Sequence, residues 1–230
     1  MFMSHDSWER LARGLGDIEQ NMIDRDWEQM NDASKPQVAN YTAEPKKVLR
    51  LPASSCVSSL ASVGTPGEDP RNPNPPNHGV TIGERCTVRE FATINGGIEA
   101  STVVGDDCYI MAKSHVGHDC VLGDGVKLRT GVILGGHTRV HEGADVGLGA
   151  ITHPRVTIGA YAFVGMGSVV TRDVPPFAMV YGSPAKQHGH NVVGMRRAGF
   201  SEEAIGHIES GGELPRYRAA FDADKGRHKP

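Results

Sequence analysis

The sequence of 230 residues has no long apolar segment and no excess of charge of one sign. No run approaches the roughly 20 apolar residues that a membrane span needs, and the N-terminal residues lack the basic and apolar regions of a secretory signal. Acidic and basic residues are mixed along the chain and give a formal net charge of -3, so no basic surface for nucleic acid or anionic lipid is indicated. We therefore expect a cytoplasmic protein with no membrane span and no bound nucleic acid.

The cysteines also exclude a class of site. The four cysteines, at positions 56, 86, 108 and 120, form no Cys-x-x-Cys pair, which argues against a zinc knuckle or a redox motif. A chain of this length can bury one sizeable core, so a single domain with extensions is expected.

An internal repeat of six residues runs through the middle of the chain. Aliphatic residues occupy every sixth position from Val104 to Val170, with Thr152 the one exception, and a small or β-branched residue lies four places after each. Neither a helix, with 3.6 residues per turn, nor a plain strand, with its alternation by two, repeats such a pair every six residues. Three units make a triangular coil of 18 residues, and coils stacked about 4.8 Å apart let each strand pair with its copies above and below.

The repeat predicts an all-β solenoid, a left-handed parallel β-helix, over residues 48–176, with both columns of the repeat pointing inward. Cys86, Cys108 and Cys120 fall in this pattern and are expected to be small core residues. Glycine follows many of the aliphatic positions, which favours corners with positive φ at those glycines. The repeat is expected to close at residues 174–176, Val-Pro-Pro, because proline lacks the N–H that a further coil needs.

Extensions flank the repeat at residues 1–47 and 177–230. Residues 7–30 predict an amphipathic helix whose apolar face packs either in an oligomer contact or as a lid on the main body. The apolar residues of this face are Trp8, Leu11, Leu15, Ile18 and Met22. In the C-terminal extension, Ser201 and the two glutamates after it predict a capped helix over 201–210. Within the repeat, the Pro-, Asn- and Gly-rich residues 64–79 predict a projecting loop.

Several motifs between residues 51 and 210 are shared with one family of hexapeptide-repeat enzymes. They are Ile82-Gly83-Glu84, the segment from Val88 to Asn95, Val116-Gly117-His118-Asp119-Cys120, Gly135-Gly136-His137, Asp173-Val174-Pro175-Pro176 and the segment from Asn191 to Ser201. The last two are more specific than the hexapeptide pattern, which many acetyltransferases share. The chain thereby resembles the acyl-carrier-protein-dependent UDP-N-acetylglucosamine O-acyltransferases of lipid A biosynthesis.

The resemblance implies transfer of an acyl or 3-hydroxyacyl group from acyl carrier protein to a UDP-linked amino-sugar by direct attack. It also implies a homotrimer in which neighbouring coils form the cleft. Acyl carrier protein would be the partner and acyl donor, with acyl coenzyme A as the other possible donor, and no bound cofactor or metal is expected.

Acyl transfer requires a base for the acceptor's proton and donors for the developing oxyanion. His118 lies two places after Val116, at a corner, so its imidazole should face outward from the coil, and a neutral imidazole suits a base near pH 7. Gly136 lies one coil further and could bring its N–H close to an acyl group beside His118. The resemblance assigns the general base to His118, its paired carboxylate to Asp119 and the oxyanion site to Gly136.

Other residues match substrate-binding positions of the family. In the projecting loop, Glu68, Asp69 and Arg71 resemble a segment that binds the amino-sugar, with Arg71 where the family often has lysine. The histidines at matching cleft positions are His115, His137 and His153. In the C-terminal motif, Asn191 is a candidate substrate-binding residue, and Arg196 and Arg197 are candidates for binding phosphates.

Met166 matches the family position that measures acyl length. A glycine there admits a long chain and a bulkier residue shortens the groove, so the methionine predicts a medium or short acyl donor.

Three departures from the family concern the acceptor and the trimer. A helix and a polar stretch replace the usual first coils, the segment from Asn95 to Val103 is shorter, and Pro154 follows His153 where glutamine is usual.

Three alternative functions stay open. One is a coenzyme A-dependent O- or N-acyltransferase acting on another sugar or amine, which residues 182–186, Gly-Ser-Pro-Ala-Lys, also suit. Another is a γ-type carbonic anhydrase with a zinc on His115, His118 and His137, whose spacings do not match that family, and the third is a non-catalytic scaffold.

Overall fold

A computed structural model describes residues 49–72 and 74–226 of the chain. The predicted amphipathic helix over 7–30 therefore lies outside the described residues, as does the segment over 31–47. None of the helices in the described part of the chain is long and apolar enough to cross a lipid bilayer.

Short strands follow one another along most of this structure, and three helices follow them. In chain order the strands are β1 (Leu49–Arg50), β2 (Cys56–Val57), β3 (Ser62–Thr65), β4 (Val80–Ile82), β5 (Thr87–Val88), β6 (Thr93–Asn95), β7 (Thr102–Val104), β8 (Tyr109–Ile110), β9 (His115–Val116), β10 (Val121–Leu122), β11 (Lys127–Leu128), β12 (Ile133–Leu134), β13 (Arg139–Val140), β14 (Asp145–Val146), β15 (Ile151–Thr152), β16 (Thr157–Ile158), β17 (Phe163–Val164), β18 (Val169–Val170), β19 (Ala178–Gly182) and β20 (Ala185–His190). The helices are α1 (Val192–Arg197), α2 (Glu202–Glu209) and α3 (Pro215–Asp224).

The strands stack into three sheets that form the sides of a solenoid. Sheet 1 contains β1, β4, β7, β10, β13 and β16, sheet 3 contains β3, β6, β9, β12, β15 and β18, and sheet 2 contains the other eight strands. Neighbouring strands along the stack are parallel, and Val103 pairs with Val121, which pairs with Arg139 one coil later. Each coil here therefore takes 18 residues, and the predicted left-handed parallel β-helix is confirmed.

The interior of the solenoid is filled by both columns of the six-residue repeat. The aliphatic positions from Val104 to Val170 are buried, and so are the small residues that follow them. Thr152, the polar exception, is also buried, and its hydroxyl accepts the Gly135 N–H at 3.1 Å. Cys108 and Cys120 are core residues as predicted, and burial raises the pKa of each thiol to about 12, so both stay neutral.

Glycine has a different role at the corners from the one expected. Except after Val170, positive φ falls three places after the aliphatic positions, at Gly125, Gly143 and their counterparts, and not at the glycines directly after the aliphatic residues. Those glycines are required by close approach of the next coil, since a Cβ on Gly147 would lie 2.6 Å from the Val164 carbonyl oxygen. The expectation of positive φ at these positions was therefore wrong.

One corner of the solenoid carries the extra residues of the first two coils. We call the turns that lead from sheet 3 to sheet 1 the insertion corner. Arg50 pairs with Thr81 and Thr81 with Val103, spacings longer than the 18 residues of later coils. The additional residues lie between β3 and β4 and between β6 and β7. Consequently the predicted projecting loop and the short segment 96–101 lie on the same corner, one coil apart.

The C-terminal extension is not purely helical. After Pro175 and Pro176 the chain forms β19, which pairs in parallel with β17 and in antiparallel with β20, so the repeat does not close at the prolines. The prolines lie in the turn before this strand, and the Ala178 N–H there donates to the Pro175 carbonyl. The predicted helix over 201–210 is confirmed as α2, whose N-cap Ser201 accepts the Ala204 N–H.

Replacing Gly147 by alanine should destabilise the solenoid. The new Cβ would lie 2.6 to 2.8 Å from backbone atoms of the next coil, which cannot give way separately, and overpacking of this kind costs about 1–3 kcal/mol. Gly206→Ala is the control, because a Cβ on this exposed α2 residue meets nothing within 4 Å and alanine should stabilise the helix by about 0.4–1 kcal/mol. Thermal unfolding of both variants checks the prediction, and an unchanged Tm for Gly147→Ala would contradict it.

Candidate active site

His118 and Asp119 occupy the insertion corner directly after strand β9. The chain leaves the core at Val116, and the next residue must be glycine because a Cβ on Gly117 would lie 2.8 Å from both the Gly136 nitrogen and the Leu134 oxygen. This close approach brings the following coil down over His118. The imidazole is outside the core, with 20% of its side chain exposed.

The two side chains form a hydrogen-bonded pair. His118 Nδ1 lies 2.7 Å from Asp119 Oδ2, and the carboxylate is almost fully buried, with 4% exposure. A carboxylate only accepts, so Nδ1 carries the proton and donates it to the bond, which leaves Nε2 as a free acceptor. This is the protonation state that a general base requires.

Three backbone N–H groups hold the Asp119 carboxylate from below. Ile98, Glu99 and Ala100 donate to its two oxygens at 2.9, 2.8 and 2.7 Å. Burial raises the pKa of Asp119, but the hydrogen bonds from Ala100, His118, Ile98 and Glu99 outweigh it, so that the pKa lies below its ordinary value. Asp119 is therefore ionised and anchors the short segment 96–101 to the rest of the insertion corner.

Gly136 lies over the free nitrogen of His118. A Cβ at this position would lie 2.6 Å from His118 Nε2, so any side chain would collide with the imidazole. The Gly136 N–H donates a hydrogen bond to no other described residue, and it is available for an acyl oxygen near Nε2. The structure thus brings together the three residues that the resemblance assigned to catalysis.

His137 stacks one coil above Asp119. Its ring meets the His118 ring edge-on, with 5.0 Å between centroids, and its Nε2 lies 3.9 Å from Asp119 Oδ2. Burial lowers the pKa of His137 and the nearby Arg155 lowers it further, which outweighs the opposite effect of Asp119. His137 is accordingly neutral at neutral pH.

His115 and the projecting loop meet the same corner from the side. The Thr93 hydroxyl lies 2.7 Å from His115 Nδ1, and burial lowers the pKa of this histidine despite the opposing charge of Glu68. In the loop, a Cβ on Gly67 would lie 2.7 Å from His118 Cβ, so the loop backbone packs directly against His118.

Asp69 and Arg71 pair with each other in this loop. The Arg71 Nε lies 3.0 Å from Asp69 Oδ1, and this hydrogen bond lowers the pKa of the Asp69 carboxyl. The Asp69 side chain is mostly buried and that of Arg71 is 88% exposed. The candidate sugar-binding residues therefore border the site, with the guanidinium facing solvent.

Other predicted site residues lie elsewhere. Asn191 caps helix α1 and donates to the Tyr161 carbonyl at 2.9 Å, and Arg196 forms a double hydrogen bond with Glu202. Asn191 and Arg197 line a cavity of about 830 Å³ beside sheet 2, whose lining includes no residue of the insertion corner. Met166, 74% exposed, lies at the corner between sheets 2 and 3. His153 is on the insertion corner and exposed, with its Nδ1 2.9 Å from the Pro154 oxygen.

Sequence reasoning missed Glu99 and Arg155. Arg155 lies 18 residues after His137 and 36 after Asp119, so this spacing could have found it. Glu99 had no such signal, because it is in the insertion between β6 and β7, outside the repeat.

A metal ion could use part of the same constellation. Ligand atoms of His118, Asp119 and His137 lie within 4.8 Å of one another. This set differs from the three histidines of the carbonic anhydrase hypothesis, since Asp119 stands in place of His115. The carboxylate is already engaged by three N–H groups and the Arg155 cation adjoins His137, so the donor set suits a proton-transfer pair better than a cation.

Comparison with known proteins agrees with this geometry. Residues 173–211 match the family model described as UDP-N-acetylglucosamine O-acyltransferase, domain 2, and residues 101–136 match the bacterial transferase hexapeptide model. The acyl-[acyl-carrier-protein]–UDP-N-acetylglucosamine O-acyltransferase of Burkholderia thailandensis is 40% identical over 157 residues, 67% of this chain and 60% of that protein. The chain is a homologue of the UDP-N-acetylglucosamine O-acyltransferases.

Solved structures of the same family have the same fold. The UDP-N-acetylglucosamine acyltransferase of Francisella novicida aligns with a TM-score of 0.66 at 31% identity, covering 68% of this chain and 59% of its own. The UDP-N-acetylglucosamine O-acyltransferase of Moraxella catarrhalis aligns with a TM-score of 0.67 at 29% identity, covering 71% and 64%. The resemblance inferred from the sequence motifs is confirmed, although the chain spans only about 60% of the length of the curated relatives it matches.

The hydrogen bonds to Asp119 should make stability depend on pH. Because its folded pKa is below the unfolded value near 3.9, Asp119 contributes stability that is present above that value and lost as pH falls through the folded pKa. We expect Asp119→Asn to lower the Tm at pH 7 and to show a weaker decline of Tm below about pH 4 than the unaltered protein. Thermal unfolding across pH measures this, and parallel Tm curves for the two proteins would contradict the prediction.

Proposed function

We propose that this protein is an acyltransferase that moves an acyl or 3-hydroxyacyl group from acyl carrier protein to a hydroxyl of a UDP-linked amino-sugar. The observation that carries the proposal is the His118–Asp119 pair beneath Gly136. It offers an unprotonated Nε2, a fixed tautomer and an uncommitted N–H within one small volume. The homology to UDP-N-acetylglucosamine O-acyltransferases supports this choice of substrates.

The reaction follows from the positions of these groups. The acceptor hydroxyl donates to His118 Nε2, which removes the proton as the oxygen attacks the thioester carbonyl carbon. The carbonyl oxygen becomes an oxyanion and accepts the Gly136 N–H. Asp119 stabilises the imidazolium, as a buried carboxylate paired with Nδ1 does in the serine hydrolases. When the intermediate collapses, the C–S bond breaks, the new ester remains, and the imidazolium returns its proton to the departing thiolate.

The substrates would approach this centre from two sides. We assign Glu68 and Asp69 to the hydroxyls of the amino-sugar, with Arg71 as a further contact at the outer edge, because the loop backbone packs against His118. His115, His137 and His153 would line the cleft around the acceptor and the acyl chain. Asn191, Arg196 and Arg197 belong to the C-terminal extension. They could meet the same substrates only across a subunit boundary.

For this reason we propose a homotrimer. Met166 and the residues around the 830 Å³ cavity are on other sides of the solenoid than His118, and a neighbouring subunit would bring such surfaces to the cleft.

No bound cofactor is required by the proposed chemistry. The cytoplasmic location stays a prediction.

An assay with purified protein tests the activity. Acyl carrier proteins and coenzyme A loaded with the same acyl group are each offered with UDP-N-acetylglucosamine, and mass spectrometry follows the acylated nucleotide-sugar. Formation of the ester with the acyl carrier protein, at higher kcat/KM than with coenzyme A, is the expected result. Failure of both donors over a range of acyl lengths would contradict the proposal.

Substituting His118 should remove most of the activity. We expect His118→Ala to lower kcat by at least about a hundredfold, the usual scale for loss of a general base, with the fold intact because the side chain is outside the core. His141→Ala is the matched control, since this histidine contacts Asp224 of α3, away from the insertion corner. Near-native turnover in His118→Ala would exclude it as the base.

Met166 should limit the length of the acyl chain. A methionine occupies the space of several methylenes, each worth about 0.8 kcal/mol when buried, so its removal should favour longer donors. We expect Met166→Gly to shift the preferred chain upward when donors of graded length compete in one reaction. Leu148→Gly serves as the control, because Leu148 is also exposed, one coil earlier at the same corner.

Two results would count against this assignment. An unchanged chain preference in Met166→Gly would show that Met166 does not measure length. Light scattering of the same samples checks the assembly, and a monomer at the assay concentration would remove the shared groove on which the assignment depends.

A further inference from the structure

The insertion corner holds a cation that the proposed reaction does not yet use. Asp119, His137 and Arg155 lie at the same position of three successive coils, and each has a positive φ, between 58° and 66°. This backbone conformation is uncommon for residues other than glycine, and at another corner of the solenoid the equivalent place is taken by glycines such as Gly125 and Gly143. At this corner the fold thus carries three functional side chains at positions that favour glycine.

The Arg155 guanidinium is only loosely engaged. Its Nη2 lies 3.4 Å from His137 Nε2 and 3.8 Å from Glu99 Oε1, and 42% of the side chain is exposed. By contrast, three other arginines each place two nitrogens on one carboxylate at 2.6 to 2.8 Å. These are Arg85, Arg129 and Arg196. Most of the hydrogen-bonding capacity of Arg155 is therefore available to a ligand.

The space beside Arg155 already accommodates an anionic group. The Glu99 carboxylate lies within 4 Å of both Arg155 Nη2 and His137 Nε2, at 3.8 and 3.9 Å, but makes a hydrogen bond to neither. The Glu99 side chain is 68% exposed and is free to move away. An incoming phosphate could take its place and form the short, charge-assisted bonds that the carboxylate does not make.

We propose that Arg155 binds the phosphate attached to the sugar of the nucleotide-sugar acceptor. This inference depends on the proposed function and adds a residue that determines acceptor binding.

The distance between Arg155 and the His118 ring favours the phosphate of the acceptor over that of the acyl donor. The ring centroid of His137 is 5.0 Å from that of His118, and Arg155 Nη2 is 3.4 Å from His137 Nε2. The guanidinium is therefore less than about 10 Å from the His118 ring, since an imidazole adds only about 1 Å. A ring hydroxyl of a sugar 1-phosphate is about five bonds, or roughly 6 Å, from the phosphorus. The pantetheine arm places about thirteen bonds, or roughly 15 Å when extended, between the thioester sulfur and its phosphate.

The corner continues with a second cation in the same direction. Arg172 is exposed and lies one coil beyond Pro154, because Thr152 pairs with Val170. A diphosphate that leaves the sugar along the solenoid axis would thus meet a guanidinium at two successive levels, about 4.8 Å apart.

Binding of UDP-N-acetylglucosamine by calorimetry tests the proposal without turnover. We expect Arg155→Asn to raise the Kd about 10- to 100-fold, the loss typical of a hydrogen bond to a charged group. Asparagine suits the left-handed backbone of this position. The Kd of Arg155→Lys should lie between those of the unaltered protein and Arg155→Asn, since lysine keeps the charge but loses the paired N–H donors of the guanidinium. Glu99→Gln should lower the Kd, because it removes the competing carboxylate.

Arg85→Asn is the matched control. Arg85 also has a positive φ, of 54°, and its guanidinium is paired with Asp107 away from the insertion corner. Its replacement should leave the Kd unchanged. In steady-state assays Arg155→Asn should raise the KM for the nucleotide-sugar and leave the KM for the acyl carrier protein unaltered.

Three results would overturn the assignment of Arg155. They are an unchanged Kd in Arg155→Asn, a raised KM for the acyl donor alone, and a shifted pH–rate profile with unaltered Kd, which would mean that Arg155 acts only through His137. If the unaltered protein binds no UDP-N-acetylglucosamine, the proposed function fails and this inference fails with it. That outcome is distinct, because it is seen before any substitution is made.

Discussion

The stacking of parallel coils in an 18-residue register is the constraint on which the rest of this structure depends. Parallel strands pair with their copies at a spacing of about 4.8 Å, so residues 18 apart must lie one above the other. Inside the solenoid this register aligns aliphatic with aliphatic and small with small residues. Outside, it places side chains that are distant in sequence within contact distance of one another.

At the insertion corner, this register brings groups from successive coils together around His118 and Asp119. The Asp119 carboxylate is paired with His118 along the chain, lies near His137 of the next coil, and is held by the N–H groups of segment 98–100 from the coil below. Gly136 of the next coil covers the His118 ring. These groups come from three successive coils. A rigid scaffold of this kind suits acyl transfer, since a base and an oxyanion donor must be held in fixed geometry.

The surroundings of the titratable groups at the insertion corner give them different charge states. Asp119 is ionised because backbone hydrogen bonds outweigh its burial, whereas His137 is kept neutral by burial and by Arg155. His118 differs from both, because its Nδ1 donates to the Asp119 carboxylate and its free Nε2 faces the Gly136 backbone. Although His115, His118 and His137 are near one another, only one of them has the surroundings of a base.

The sequence by itself determined the solenoid, because the six-residue period reports directly which side chains point inward and which residues stack. It also determined that His118, Asp119 and Gly136 would meet, since two of them are adjacent and the third is one coil away. Only the tertiary structure decided the rest. The segment 98–100 and Glu99 lie in an insertion that breaks the period, so their contacts with Asp119 and Arg155 have no counterpart in sequence spacing. The positive φ at the third place after most aliphatic residues of the repeat, and the extra strand β19 after the prolines, likewise follow from how one backbone turns over the next.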